Sequence, residues 1–335
     1  MPNRLKIGLL EIANYSNLNE ALYLAANGRR SRRHVSEFLR KAPARLGELS
    51  RQLITETWRP SRMSEFVIFD PKRRVIHAPP FSDRVVHHAL MLQVGEHLDR
   101  MQVDDSFACR IGKGPLRAVQ RAQEFTRKFP WYVKMDITSY FHSIDHHLLM
   151  EFLSHRLGDP GVLRLFSRIV AGFNAEKDRG LPIGALTSQH LANLYLATFD
   201  RAITGRPQCR AYVRYMDDMV VWCHSRTDAI YMEAKSRELL GAIWDLKLKK
   251  DCEINRSSQG LTFCGYRIFP GIIRLTKRKK RIYRRIVSHW ETQYLSGRAT
   301  MTQLQAGFAS ALAAVQAADC LAWRRREAVR SLVDD

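Results

Sequence analysis

Residues 211–222 read Ala-Tyr-Val-Arg-Tyr-Met-Asp-Asp-Met-Val-Val-Trp, with two adjacent carboxylates, Asp217 and Asp218, between two apolar runs. The runs are rich in β-branched and aromatic residues, and this pattern predicts two strands joined by a tight turn. A turn can bring both carboxylates to one edge of the hairpin, where burial is unfavourable unless a positive charge neutralises them. A divalent cation with oxygen ligands is the usual partner, although an ordinary Asp-Asp turn has the same local sequence. The rest of the chain has to decide between these two readings.

The excess of basic residues is the most unusual feature of the composition. Among 335 residues, 54 are Lys or Arg and 33 are Asp or Glu, which gives a formal net charge of +21. A positive field of this size favours a polyanionic partner, and nucleic acid is the commonest one. The hydrophobic content of 45% and the aromatic content of 10% are typical of a folded globular protein. The composition therefore predicts a folded protein that binds nucleic acid.

Neither a membrane span nor an export signal is apparent in the sequence. No stretch approaches 18 consecutive apolar residues, and the N-terminal Met-Pro-Asn-Arg-Leu-Lys lacks the apolar core of a secretory signal. The cysteines are scattered without a Cys-x-x-Cys pair, which is typical of a reducing compartment and of neither a zinc site nor a disulfide framework. We therefore expect a cytoplasmic protein with no membrane partner. The six cysteines are Cys109, Cys209, Cys223, Cys252, Cys264 and Cys320.

Apolar periodicity predicts helices at both ends of the chain and short strands between them. Residues 1–60 indicate mainly helix with a basic cluster at 29–33, and residues from 277 onward indicate basic helices. Residues 66–77 predict a β-hairpin with a cationic tip. The other predicted elements are a helical region over about 83–120 with a basic loop at 110–114, a strand over 131–137, a helix from about Ser143 capped by Asp145, two helices within 147–200 split by a loop at 177–184, a helix over about 227–245 and strands around 262–268.

A third carboxylate, Asp136, ends the apolar strand predicted at 131–137 and precedes the Asp217–Asp218 pair by about 80 residues. Strands that carry one Asp and an Asp pair, separated by helices, suit an α+β palm in which the two strands lie side by side. Such a cluster can hold two Mg²⁺ ions about 3.5–4 Å apart around a phosphoryl displacement, a geometry for which polymerases are the standard example. Taken alone, Asp136 is more often a strand-end or capping residue.

Four motifs resemble those of reverse transcriptases and occur in the same order and spacing. They are Asp136-Ile-x-x-Tyr-Phe141, Gly180-Leu-Pro-Ile-Gly-Ala-Leu-Thr-Ser-Gln189, Tyr215-Met-Asp-Asp218 and Phe263-Cys-Gly-Tyr266. The resemblance spans about residues 65–270. It implies an α+β right-hand polymerase fold with fingers, a palm that contains an antiparallel sheet, and a helical thumb. The implied domains are a basic helical extension at 1–60, fingers and palm at 61–275 and the thumb at 276–335.

The resemblance also implies RNA-directed DNA synthesis by two-metal nucleotidyl transfer. It makes Asp136, Asp217 and Asp218 the catalytic residues and, together with Ile137, the ligands of two Mg²⁺ ions, with Mn²⁺ as a substitute. Phe141 stands where the family places a steric gate against the ribose 2′-hydroxyl. The complete set of nucleotide-binding residues that the resemblance implies is Lys72, Arg74, Phe141, Ile183 and Gln189.

Contacts to the primer and to the nucleic-acid backbone follow from the same resemblance. Lys249 or Lys250 is expected to place a cation near the leaving pyrophosphate. The primer-grip residues are Phe263, Gly265 and Tyr266. The residues expected to contact the backbone are Arg110, Lys113, Lys277, Arg278, Lys280 and Arg281.

Two departures from the common reverse transcriptase pattern point to a subfamily. Many reverse transcriptases have Gln where this chain has Ile183, and Pro where it has Gln189. The Ser-Gln form resembles the enzymes of diversity-generating retroelements of bacteria and phages. These enzymes copy a template repeat RNA, misread adenines and work with a small basic pentameric accessory protein. Ile183 lacks the amide of the usual Gln, so a hydrogen bond worth about 0.5–1.5 kcal/mol would be missing if this side chain lines the nucleotide pocket. Correct and incorrect nucleotides would then be held with less discrimination.

Other functions remain open at this point. One is a retron or phage-defence reverse transcriptase, and retron enzymes tend to have their own thumb signatures. The feature of this sequence that discriminates against it is the Ser188-Gln189 pair, which is only two residues. A non-catalytic RNA-binding module with the same fold is disfavoured because all three aspartates are present. The expected partners of the enzyme are template RNA, a primer or cDNA strand, deoxynucleoside triphosphates and the accessory protein.

Overall fold

The structure is a computed structural model and describes residues 4–69, 73–173 and 177–333. The chain forms two compact units, each built from three separate segments. The first unit contains the chain up to Val103, Ile137–Ala202 and Arg237–Leu248, and the second contains Asp104–Asp136, Ile203–Ser236 and the chain from Lys249 onward. Within the described ranges, none of the helices combines the length and the apolar character that crossing a membrane requires.

Helices predominate, and polar caps set several of their first residues. The Asp145 carboxylate accepts the backbone N–H of Leu148 at 3.0 Å, as expected for the predicted cap. The helices are α1 Leu9–Ala13, α2 Tyr15–Ala26, α3 Arg33–Arg40, α4 Ala42–Ile54, α5 Phe81–Asp99, α6 Pro115–Lys128, α7 Tyr140–Ser143, α8 His146–Ser154, α9 Pro160–Ala171, α10 Leu186–Tyr195, α11 Ala197–Thr204, α12 Arg226–Trp244, α13 Lys277–Leu295, α14 Met301–Ala313 and α15 Leu321–Val333.

The strands form three antiparallel sheets. Their orders are β1-β2, β4-β5-β3-β6 and β7-β8-β9. The first sheet belongs to the first unit and the other two belong to the second. The strands are β1 Ser64–Phe69, β2 Arg73–Ala78, β3 Trp131–Asp136, β4 Ala211–Tyr215, β5 Asp218–Cys223, β6 Glu253–Arg256, β7 Leu261–Phe263, β8 Tyr266–Ile268 and β9 Ile273–Leu275.

The hairpin predicted at residues 211–222 is confirmed, and so is the strand that carries Asp136. Strands β4 and β5 pair from Ala211–Trp222 to Tyr215–Asp218, so the connecting turn is only Met216 and Asp217. Strand β3 lies beside β5 in the same sheet, as expected for a palm. In the core of the second unit, side chains of α6 and of β7–β9, including the fully buried Phe263, pack with this sheet, whose strand β5 contributes the fully buried Trp222.

Two helical predictions need correction. The described residues between 147 and 200 form four helices rather than two, because Asp159 caps a new helix that starts at Pro160 and a second break falls at Leu196. Proline fixes the backbone for a first helical turn but cannot continue a preceding helix. The region 83–120 is likewise two helices, α5 and α6, with an irregular loop at 100–114 between them. The strands β6 and β9 were not predicted, because their three or four residues give too short a pattern.

Candidate active site

The carboxylates of Asp136 and Asp218 come from neighbouring strands. In the β3–β5 ladder, Asp136 lies directly opposite Asp218, and antiparallel partners have their Cβ atoms about 4.5–5.5 Å apart. Asp217 lies in the two-residue turn beside them. Met216, the other turn residue, has a φ of +57°, in the left-handed region that tight hairpins require. The fully buried Arg214 supports this turn, because its Nη1 donates to the Met216 carbonyl at 3.1 Å.

Each of the two facing carboxylates is neutralised at one oxygen by a lysine. The Nζ of Lys249 lies 2.5 Å from Oδ2 of Asp136, and the Nζ of Lys134 lies 3.3 Å from Oδ2 of Asp218. The other oxygens, Oδ1 of Asp136 and Oδ1 of Asp218, are buried and have no hydrogen-bond partner among the described residues. Buried carboxylate oxygens without partners are unfavourable, so each marks a position that a cation would stabilise.

The protonation of Asp218 reflects this environment. Burial raises the pKa of Asp218 to about 7, Lys134 opposes that rise, and the neighbouring carboxylates of Asp136 and Asp217 add to it. A positive charge bound at the free oxygens would favour the ionised form and lower this pKa again. The pKa of Asp218 therefore depends on whether a cation is bound at the site.

A divalent cation fits these residues, although the carboxylates are not arranged as a finished cage. Across the described ranges, no three His, Cys, Asp or Glu side chains converge closely enough to hold a metal. The two unpartnered carboxylate oxygens are nevertheless hard donors of the kind that Mg²⁺ and Mn²⁺ prefer. Ile137, also predicted as a ligand, is buried and forms a bridge with Leu248, and its apolar side chain offers no ligand atom.

Most of the residues predicted to bind the nucleotide belong to the first unit. Arg74 is exposed on β2, and the N–H of His77 on the same strand donates to the Ile183 carbonyl at 2.9 Å. The Phe141 carbonyl accepts the N–H of Leu181 at 2.7 Å, next to a half-buried Ile183. Gln189, also predicted to bind the nucleotide, follows on α10, half-buried. The fifth member of the set, Lys72, lies outside the described residues.

Sequence reasoning overlooked the polar residues beneath this loop. On α10, Thr187 is fully buried and its hydroxyl lies 3.4 Å from Nδ1 of His87 on α5. The neighbouring Ser188 is 1% exposed, and its hydroxyl has no partner among the described residues. In the sequence, Thr187 and Ser188 are recognisable only as part of a motif. No local signal shows that both side chains are buried.

The predicted primer-grip residues surround the β7–β8 turn. Phe263 is fully buried, and the Tyr266 hydroxyl donates to the Ala314 carbonyl at 2.9 Å, so both side chains belong to the core. Gly265 has a φ of +80°, and an added Cβ there would lie 2.8 Å from Cε of Lys279. The side chains of these three residues are therefore not available to a primer, and any contact with it would come from the backbone of the turn.

The residues predicted to contact the nucleic-acid backbone fall into two groups. In the loop 100–114, Lys113 binds the Asp104 carboxylate at 2.7 Å and Arg110 donates to the Ser106 carbonyl at 2.9 Å, so both hold the loop. On α13, Lys280 lies over the Trp323 ring, 5.5 Å from its centroid. The exposed members of the α13 group are Lys277, Arg278 and Arg281, and Lys250, predicted near the pyrophosphate, is exposed as well.

Comparison with known proteins places this site in a family. Residues 70–268 match the family model described as reverse transcriptase (RNA-dependent DNA polymerase). The chain belongs to the reverse transcriptase family. The matched segment contains Asp136, the 180–189 loop and the Asp217–Asp218 turn, so the resemblance inferred from the four motifs is confirmed at the level of the family.

Relatives and solved structures agree with this assignment. The chain is 23% identical over 247 residues to Protein YkfC of Escherichia coli, a match that covers 59% of this chain and 63% of the relative. It is 24% identical over 98 residues to the putative COX1/OXI3 intron 2 protein of Saccharomyces cerevisiae, covering 27% and 12% of the two proteins. The chain thus spans less than two thirds of the length of either relative.

Structural similarity extends further along the chain than sequence identity does. A structure of apo telomerase from Candida tropicalis matches with a TM-score of 0.54 and 11% identity, covering 81% of this chain and 62% of that one. At this identity the match shows the fold alone. Together with the family model, it confirms the expected α+β fold of the right-hand polymerase class.

Proposed function

We propose that this chain is an RNA-directed DNA polymerase that makes cDNA on a template RNA by two-metal nucleotidyl transfer. The observation that carries the proposal is the facing pair of Asp136 and Asp218, each with one buried oxygen that has no partner among the described residues. The proposed organisation keeps fingers and palm at 61–275 and a thumb at 276–335. The required partners are template RNA, a primer or cDNA strand and deoxynucleoside triphosphates.

The proposed mechanism assigns a task to each group of residues. Asp136, Asp217 and Asp218 would hold the divalent ions, whose chemistry when bound would be to neutralise phosphate charge and to acidify the primer 3′-hydroxyl. The guanidinium of Arg74 is suited to a bidentate grip on the triphosphate. The ring of Phe141 would exclude a ribose 2′-hydroxyl, and the Lys249 ammonium holds Asp136 in place.

The test is primer extension on an RNA template with Mg²⁺, comparing the wild-type enzyme with Asp217→Ala. We expect the variant to lose at least about a thousandfold in rate, because removing a ligand or catalytic carboxylate removes transition-state stabilisation. Asp251→Ala is the matched control, because Asp251 is an exposed carboxylate outside the cluster. Equal incorporation by wild type and Asp217→Ala would contradict the proposal.

Within the family, we propose a diversity-generating retroelement enzyme that is error-prone at adenines and works in mutagenic retrohoming. The support is the Ser188-Gln189 pair together with Ile183, all within residues 180–189. The alternative is a retron or phage-defence enzyme. A pair of repeats near the gene that differ mainly at adenines, with a small basic reading frame, would favour the retroelement, and their absence would favour the alternative.

Ile183→Gln tests the source of low fidelity. The Ile183 backbone is tied to β2 through its carbonyl, so the exchange changes the side chain without freeing the loop. An added amide can restore a hydrogen bond worth about 0.5–1.5 kcal/mol, which predicts a roughly 2- to 12-fold drop in misincorporation opposite adenine. Sequencing of cDNA from a defined template measures it, and unchanged misincorporation would refute the role of Ile183.

We also propose that the N-terminal helices bind RNA. Around the α3–α4 joint lies an open cleft of about 270 Å³, in which three basic residues outnumber one acidic residue. Its lining residues are His34, Glu37, Phe38, Arg40, Lys41 and Arg45. Nearby, burial and the positive charges of Arg29 and Arg32 lower the pKa of Arg84. Such crowding of like charges favours an anion. The proposed pentameric accessory protein is itself basic, so this surface suits RNA better than that protein.

A further inference from the structure

One face of β3 carries three polar side chains in succession, at Tyr132, Lys134 and Asp136. Alternation along a strand places residues two apart on the same face. Each of the three contacts a residue that lies far from it along the chain. The Tyr132 hydroxyl donates to the Gly260 carbonyl at 3.0 Å and also contacts Glu253. Asp136 accepts from Lys249.

Lys134 is the member of this row that joins two elements. Its Nζ donates to the Thr262 carbonyl of β7 at 2.9 Å and lies 3.3 Å from Oδ2 of Asp218 on β5. In the β3–β5 register, Lys134 lies opposite Val220, so Asp218 is its diagonal neighbour. Diagonal pairs are about 7–8 Å apart, a distance that a lysine side chain spans.

The Lys134 side chain is mostly buried, and the loss of contact with water is unfavourable for its charged ammonium unless other groups bind it. The side chain is 23% exposed, and that of Asp218 is 27% exposed. A charge this far from water is stable only with partners, and the Thr262 carbonyl and the Asp218 carboxylate supply them. The same contacts occupy Oδ2 of Asp218 and leave Oδ1 buried without a partner among the described residues.

We propose that Lys134 is a positioning residue that sets the cation affinity of the carboxylate site. It neutralises Asp218 and occupies Oδ2, so that only Oδ1 is left for a divalent ion, and it fastens β7 to the β4-β5-β3-β6 sheet. The proposal rests on the proposed function, because it assumes that Asp136, Asp217 and Asp218 bind a divalent cation.

Two opposite effects follow from removing the ammonium. A bound divalent ion would no longer be repelled by a positive charge a few ångströms away, so cation binding strengthens. At the same time the hydrogen bond from Lys134 to the Thr262 carbonyl of β7 is lost, so the unliganded protein becomes less stable. A residue with only a structural role would lower stability without strengthening cation binding.

The experiment measures Mn²⁺ binding to the full chain without nucleic acid, by electron paramagnetic resonance at constant pH and ionic strength. For Lys134→Met we expect about tenfold tighter Mn²⁺ binding than for wild type. Lys134→Gln is the second variant, because its amide can still donate to the Thr262 carbonyl while the charge is gone, and the same tightening is expected. Lys134→Arg keeps the charge and should stay within about twofold of wild type.

Tyr132→Phe is the matched control. It removes the neighbouring hydrogen bond on the same strand face, from Tyr132 to the Gly260 carbonyl just before β7, and this bond does not involve Asp218. We expect a lower melting temperature and a Mn²⁺ affinity within about twofold of wild type. Melting temperatures of the Lys134 variants, with and without Mn²⁺, should show a larger Mn²⁺-induced rise than in wild type or Tyr132→Phe.

The outcomes separate this inference from the proposed function. If wild type binds Mn²⁺ and Asp136→Asn abolishes that binding, the cation site stands. Unchanged or weaker binding by both Lys134→Met and Lys134→Gln then overturns the role of Lys134 alone. If wild type shows no Mn²⁺ binding that Asp136→Asn removes, both the cation site and the role of Lys134 are wrong.

Discussion

At the scale of single residues, Gly184 allows the 180–189 loop to pack closely against β2. Its φ is +124°, and an added Cβ would lie 2.8 Å from Cγ2 of Ile76 and 2.9 Å from the His77 carbonyl oxygen. The Gly-rich motif was predicted from its resemblance, but this close approach was not, because it depends on where β2 packs. Lys134 was overlooked for the same reason, since nothing in its own sequence context shows that Asp218 lies diagonally across the sheet.

Gly184→Ala should lower the free energy of unfolding by about 1–3 kcal/mol, because the methyl group meets backbone and side-chain atoms and the φ value disfavours an L-residue. Urea denaturation measures the change. Gly47→Ala is the control: Gly47 lies inside α4 and nothing is within 4 Å of an added Cβ. There we expect stabilisation by about 0.5–1 kcal/mol from helix propensity. Equal effects of both exchanges would contradict this account.

At the scale of elements, α5 shows what periodicity can and cannot predict. The sequence predicted helix here, and the structure confirms it over Phe81–Asp99. The helix nevertheless buries His87, whose pKa is lowered to about 4 by burial and by the positive charges of His88 and Arg84. A histidine inside an apolar helix face gives no warning of this environment, because burial comes from α10 and other elements that pack against it.

Protonation of His87 makes stability depend on pH. As the pH falls through 6.5, the unfolded chain binds a proton at this residue, whereas the folded protein resists protonation until about pH 4. The free energy of unfolding should therefore decrease between pH 6.5 and 4, by up to about 3 kcal/mol from this residue.

Urea denaturation across this pH range, compared between wild type and His87→Gln, isolates the contribution of His87. The slope of stability against pH should become flatter in the variant. His34→Gln is the control, because His34 is exposed on α3 and its exchange should leave the slope unchanged. Parallel pH profiles for wild type and His87→Gln would rule out the buried neutral imidazole.

At the scale of the whole molecule, net charge leads to a prediction that no single contact provides. A chain with a net charge of +21 should bind RNA largely through phosphates and release counterions. With six to ten phosphate contacts, affinity should fall by about 10³–10⁵ between 50 and 200 mM salt. Fluorescence anisotropy with a labelled structured RNA measures the slope of log affinity against log salt.

Replacing Arg40, Lys41 and Arg45 by Ala tests whether the N-terminal cleft contributes to this slope. Each lost phosphate contact should reduce its magnitude by about 0.7–0.9, so the triple variant should lose up to about 2–3. A triple exchange of Arg51, Arg164 and Arg168 serves as the control, because these arginines already pair with Glu48 or Glu56. The same slope for the cleft variant and wild type would contradict the proposal.

The sequence by itself determined the family, the hairpin with Asp217 and Asp218, and the strand that ends at Asp136. These features are local. A strand pattern, a two-residue turn and an ordered set of motifs can be recognised along the chain without knowing how the elements pack. Only the tertiary structure decided that Asp136 lies opposite Asp218 and that Lys134 and Lys249 neutralise one oxygen of each carboxylate. Such contacts depend on strand register and on burial, which join residues more than 80 positions apart and leave no periodic signal along the chain.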